Sequence, residues 1–168
     1  MRFLIYFRFY KNNLLPKVPL KEAQFVRINS KDPIDKVASD YEKTLRESFQ
    51  MTSGVPSFDL LLLGVGTDGH ICSLFPKHKL LDEQTILIAP ISDSPKPPSG
   101  RITMTFPLIK NARHSIFAVS GSGKADVIKS IFINKENIPA AKVTALEKVH
   151  WLLDEASATY VADMETQM

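Results

Sequence analysis

From about residue 30 onward, apolar positions recur at three- and four-residue spacing and then give way to unbroken apolar runs, so helix and strand signals alternate. Ser30-Lys31-Asp32-Pro33 reads as a helix start, with Asp32 able to cap and Pro33 suited to the first helical position. Ile34, Val37, Tyr41, Leu45 and Phe49 then share one face, which predicts packing on a sheet. Glu42 and Arg46 sit one turn apart on the wet side, and Gly54-Val55-Pro56 ends the element. Residues 58–63 are apolar apart from Asp59 and run directly into glycine. Continuous rather than alternating hydrophobicity predicts a strand buried on both faces, as in the middle of a parallel sheet. Residues 86–91, 102–105, 115–120 and 149–153 predict further strands. Residues 107–113 predict a short helix or turn, 124–132 a helix, and 155–162 a closing helix. Strand, sharp turn and helix in succession give an α/β fold with a largely parallel sheet. Ligands of such sheets gather at the carboxyl ends of the strands.

The first residues break this rhythm. Phe3-Leu4-Ile5-Tyr6-Phe7 predicts a short buried strand, interrupted by Arg8. It is too short for a signal sequence, and no run approaches a membrane span of about twenty apolar residues. A basic, aromatic tail touching a membrane is the alternative.

Composition narrows the field. The 168 residues suit one domain, and 44% hydrophobic with 23% charged residues is ordinary for a soluble fold. Twenty-one basic against 18 acidic side chains leave a net charge of +3, compatible with an anionic small molecule but too small to argue for nucleic acid. The single cysteine, Cys72, excludes an intrachain disulfide, leaves no sulfur-based metal site and makes a reducing compartment the default.

Three stretches carry candidate chemistry. Gly64-Val65-Gly66-Thr67-Asp68-Gly69-His70 follows the best strand and spells a dinucleotide fingerprint. Pro76 stops the long helix that fingerprint needs, so the glycines read better as a turn that presents Asp68 and His70. Histidine can take and return a proton near neutrality, and a nearby carboxylate can hold its tautomer. The plainer alternative is a satisfied loop histidine beside an Asx-turn aspartate; a zinc site using Cys72 and His78 is weaker. Pro95-Lys96-Pro97-Pro98-Ser99-Gly100-Arg101 is a stiffened loop offering two cations, or else a solvated surface loop. Gly121-Ser122-Gly123-Lys124 lacks a P-loop's leading glycine and has Ala125 where Ser or Thr would hold magnesium, so nucleotide hydrolysis is disfavoured. Such a turn can still bind a phosphate through backbone N–H groups and Lys124, or be a plain turn.

Residues 58–76, 89–105, the Gly-x-Gly-Lys-Ala turn at 121–125 and Val149-His150-Trp151-Leu152-Leu153-Asp154-Glu155-Ala156 together closely resemble 6-phosphogluconolactonases, of the glucosamine/galactosamine-6-phosphate isomerase/6-phosphogluconolactonase family. Related deaminases share Asp-Gly-His but continue toward Phe-Asn-Glu-Pro, whereas this chain continues as Ser73-Leu74-Phe75-Pro76. The resemblance covers residues 10–168 as a single domain, leaving residues 1–9 as a divergent segment. It implies a Rossmann-like sheet flanked by helices, and hydrolysis of 6-phospho-D-glucono-1,5-lactone in the oxidative pentose phosphate pathway. It implies no metal and no cofactor, a cytosolic monomer, and neither nucleic acid nor membrane as partner. His70 would activate water and Asp68 support it; Lys96, Arg101 and Lys124 would hold the sugar phosphate with Gly66, Gly69 and Gly123. The family begins with further β/α units carrying a Gly-Gly-(Ser/Arg)-Thr-Pro loop and an Asp-Glu-Arg motif. Neither occurs here, so the chain reads as N-terminally truncated, with weak or no turnover and exposed apolar surface at 60–63 and 116–119 as expectations. The alternatives are a sugar-phosphate-binding remnant or an amino-sugar-phosphate deaminase.

Overall fold

The computed structural model describes residues 3–29 and 31–164, with Phe3 to Tyr6 as backbone alone. The aromatic run at the start is helical, not a strand: α1 spans Phe3–Asn13. Neither glycine nor proline interrupts those residues, and Pro16 ends the helix by entering a single 3-10 turn at Leu15–Lys17. Phe7 meets Phe25 edge to face at 5.9 Å, and the Arg27 guanidinium covers the Phe7 ring at 4.4 Å. The helix passes through residue 10 without a break.

α2 (Ile34–Ser48) starts one residue later than the sequence suggests, with Pro33 rather than Asp32 at its cap. Asp32 instead accepts from Asn29 and from Lys36, while Ser30 lies outside the described residues. The apolar face is the expected one, with Val37 and Leu45 buried, but it packs on a separate antiparallel hairpin, not on the parallel sheet. That hairpin pairs β2 (Ile88–Ile91) with β3 (Arg101–Met104). Glu42 is not on the wet side: one carboxylate oxygen accepts from Arg46 and the other from the N–H groups of Leu87 and Ile88, tying α2 to the start of β2.

The main sheet is parallel, in the order β1-β4-β5, from β1 (Leu60–Leu63), β4 (His114–Val119) and β5 (Lys148–Leu153). The short α3 (Phe106–Lys110) precedes β4, and α4 (Ala125–Phe132) follows it. Leu61, Leu63, Phe117 and Val119 point to a core completed by Ile71, Leu74, Phe75, Val127, Ile128 and Ile131. Contrary to the expectation of burial on both faces, β1 is an edge strand whose burial alternates. Leu60 and Leu62 are 45% and 74% exposed, and Leu152 on the same face is 58% exposed. Ala118 is exposed there too, as expected of residues 116–119, whereas Phe117 and Val119 are buried.

The expected closing helix is a chain of turns. Asp154 accepts from Ser157 N, and the buried Ser157 hydroxyl donates to Val119 O and to Asp154 O. Side-chain anchors to the end of β4, not a helical ladder, hold this segment.

Candidate active site

The turn after β1 is built around its glycines. Gly66 N–H donates to His70 O at 2.8 Å and Gly69 N–H to Gly66 O at 2.9 Å, closing a tight loop. A β-carbon at Gly66 would overlap His70 Nδ1 and lie 2.5 Å from Asp68 Oδ1, so only glycine lets the two side chains meet. Gly69 adopts φ +80°, a conformation that favours glycine, and a β-carbon there would lie 2.5 Å from Ile138 Cδ1.

Inside this frame His70 Nδ1 lies 2.5 Å from Asp68 Oδ1, with the ring tilted against Phe75 at 4.6 Å between centroids. The same carboxylate oxygen takes Lys96 Nζ at 3.0 Å. Partial burial opposes ionisation of Asp68, but hydrogen bonds from His70 and Lys96 prevail and hold its carboxyl at about 2. An ionised carboxylate only accepts, so the neutral imidazole carries its proton on Nδ1 and keeps the Nε2 lone pair. His70 is 19% exposed, so most of its side chain is packed.

Lys124 donates to Val65 O at 2.6 Å, one residue before Gly66, which brings the third cationic element to the same turn. Arg101 is placed differently. Its Nε donates to Pro98 O, and one Nη to the carbonyls of Lys96 and Pro97 at 2.8 and 3.0 Å. Its guanidinium also stands 5.5 Å from the centre of the Phe75 ring. Much of the arginine fork therefore shapes the loop that bears Lys96. In the glycine-rich turn after β4, Gly121 holds φ +89° and its N–H donates to both oxygens of Asp154. Gly123 has open space around it, with no backbone demand for glycine.

A cavity of about 380 Å³ lies behind this turn, lined by Tyr41, Leu45, Cys72, Ser73, Arg101 and Met104 among others, but by neither His70 nor Asp68. Burial pushes the Cys72 thiol up to about 12, which disfavours the nucleophilic thiolate near neutral pH. Sequence reasoning missed a second histidine–aspartate pair. His78 Nε2 donates to Asp93 Oδ1 at 3.1 Å, while its Nδ1 accepts from Leu80 N–H at 3.2 Å. Only its spacing from His70 drew attention to His78, and spacing does not reveal a partner from another loop.

The family model for glucosamine-6-phosphate isomerases/6-phosphogluconolactonase matches residues 6–151. The human 6-phosphogluconolactonase is 50% identical over 152 residues, covering 89% of this chain and 58% of its own length. A probable 6-phosphogluconolactonase of Drosophila melanogaster is 44% identical over 152 residues, covering 89% and 60% respectively. Among solved structures, the 6-phosphogluconolactonase from Thermotoga maritima superposes with a TM-score of 0.71 at 25% identity, covering 85% of this chain and 62% of that one. The chain thus spans under two thirds of the length of these relatives. The match over residues 6–151 takes in most of the chain, including the parallel sheet and the turn after β1, and the chain belongs to the glucosamine-6-phosphate isomerase/6-phosphogluconolactonase family.

Proposed function

We propose that this chain hydrolyses 6-phospho-D-glucono-1,5-lactone to 6-phospho-D-gluconate, with His70 as the proton carrier. The observation that carries this reading is the Asp68–His70 contact at 2.5 Å, which leaves Nε2 as the basic nitrogen. Nε2 takes a proton from water as the water oxygen attacks the lactone carbonyl carbon. The tetrahedral intermediate then collapses, the ring C–O bond breaks, and the imidazolium returns its proton to the departing ring oxygen. The hydroxyl from water stays on the carbonyl carbon as the new carboxylic acid, which ionises. A positioned acid–base group of this kind contributes roughly 10²–10⁴-fold. Asp68 holds the tautomer and steadies the imidazolium, in the manner of an orienting carboxylate beside a catalytic histidine.

Lys96, Arg101 and Lys124 supply positive charge for the substrate phosphate, with the backbone at Gly123 open beside Lys124. Gly66 and Gly69 serve by letting the turn close. No helix among the described residues is long and apolar enough to cross a membrane. A cytosolic monomer is part of the same proposal, checked by fractionation and by size-exclusion chromatography.

The test is hydrolysis of freshly generated lactone by the purified chain, followed against its spontaneous opening, with glucosamine 6-phosphate in parallel. The expected result is acceleration of lactone opening, below that of full-length relatives, and no ammonia release. A rate equal to the spontaneous one would contradict it, and ammonia release would move the chain to the deaminase branch.

A further inference from the structure

The loop of residues 92–100 is cross-linked within itself. Ser94 Oγ donates to Lys96 O at 2.7 Å and accepts from Lys96 N–H at 3.3 Å, and Ser94 N–H donates to Ser99 O at 3.1 Å. Arg101 gathers the carbonyls of Lys96, Pro97 and Pro98. Prolines at 95, 97 and 98 fix φ at three further points. A loop tied this way moves as a body, so the place of Lys96 follows from where the loop is fastened to its surroundings.

One fastening reaches the segment that follows the His70 turn. His78 is 11% exposed and has both ring nitrogens engaged, Nδ1 by Leu80 N–H and Nε2 by Asp93 Oδ1. The backbone bond to Nδ1 puts the ring proton on Nε2, where it is donated to Asp93. At the other end of the loop, Lys96 Nζ and His70 Nδ1 share one oxygen, Asp68 Oδ1. How strongly that oxygen accepts from the imidazole therefore depends on where Lys96 is held.

We propose that His78 is a positioning residue for this site: through Asp93 it fixes the loop that sets Lys96 against Asp68, and so tunes the Asp68–His70 hydrogen bond. The inference rests on the reading of His70 as the working histidine, but its test does not use turnover.

The readout is the nitrogen chemical shift of His70 Nδ1 at neutral pH, obtained from the non-exchanging ring protons. Lys96→Met leaves Asp68 Oδ1 to the imidazole and moves that shift. Asp93→Ala, made at an exposed carboxylate that leaves the fold intact by thermal melting, is expected to move it in the same direction. The double variant is expected to go no further than Lys96→Met alone, the signature of two residues acting through one contact. His78→Gln, whose amide offers one acceptor and one donor, is expected to stay at the wild-type value. An unmoved shift in Asp93→Ala, or one that adds in full to that of Lys96→Met, overturns the proposal even if the chain hydrolyses lactone. A chain that hydrolyses nothing but shows the coupled shifts keeps this inference and loses the functional one.

Discussion

His70 and His78 each hold an aspartate, at 2.5 and 3.1 Å, yet the two pairs are wired in opposite senses. In His70 the carboxylate takes Nδ1 and leaves Nε2 with a lone pair. In His78 the carboxylate takes Nε2, and a backbone N–H occupies Nδ1. The first ring can accept a proton and keep its partner; the second can accept one only by breaking the bond from Leu80. A histidine–aspartate contact alone does not identify a base. The nitrogen that remains does.

Substitutions sharpen this contrast in a graded series. Asp68→Asn removes the carboxylate that selects the Nδ1 tautomer, and lactone hydrolysis is expected to fall by about a hundredfold or more. The same change bears on acid stability. The Asp68 carboxyl is depressed to about 2, so its contribution to folding is complete above its unfolded value of about 4 and is lost as pH falls through about 2. Asp68→Asn should therefore flatten that part of the stability curve, followed by denaturation at several acidic pH values. Lys96→Met removes positive charge assigned to the substrate phosphate and should raise KM about tenfold, with a smaller change in kcat, in steady-state kinetics. Cys72, a few residues from either histidine, should resist alkylation at neutral pH, because burial holds its thiol up at about 12. Modification by iodoacetamide at the rate of a free thiol would show that the turn opens. The smallest effect is expected at Leu62, which is 74% exposed: Leu62→Ser should change stability by no more than ~0.5 kcal/mol in chemical denaturation.

Much of the site was legible in the chain because its pieces are local. Gly66, Asp68, Gly69 and His70 lie in one turn whose geometry follows from its own residues, and the sequence pattern points to it directly. What the pattern could not supply were partners from elsewhere. Nothing in Glu42 announces that it will cap Leu87 and Ile88, or in Arg101 that it will turn back on its own loop. The four consecutive leucines of β1 illustrate the same limit for the fold. Their continuous hydrophobicity describes what the strand would bury on both faces, while its place at the edge of a three-stranded sheet leaves Leu60 and Leu62 in the open. Residues 3–7 were ambiguous for another reason: a short aromatic run suits a strand or a helix, and here the chain has no proline until Pro16 to stop a helix. Residues 155–162 differ the other way: the Ser157 hydroxyl binds the backbone at the end of β4 and the Asp154 carboxylate takes the N–H groups of Ser157 and Gly121, which outcompetes a helical ladder.

The central claim is that one imidazole, freed at Nε2 by its aspartate, carries the proton during lactone opening. Its most direct measurement compares initial rates on freshly made 6-phosphogluconolactone for the wild-type chain and His70→Ala, each against spontaneous hydrolysis. The account predicts an acceleration by the wild-type chain that falls to the spontaneous rate in the variant. Equal acceleration by both proteins would contradict it.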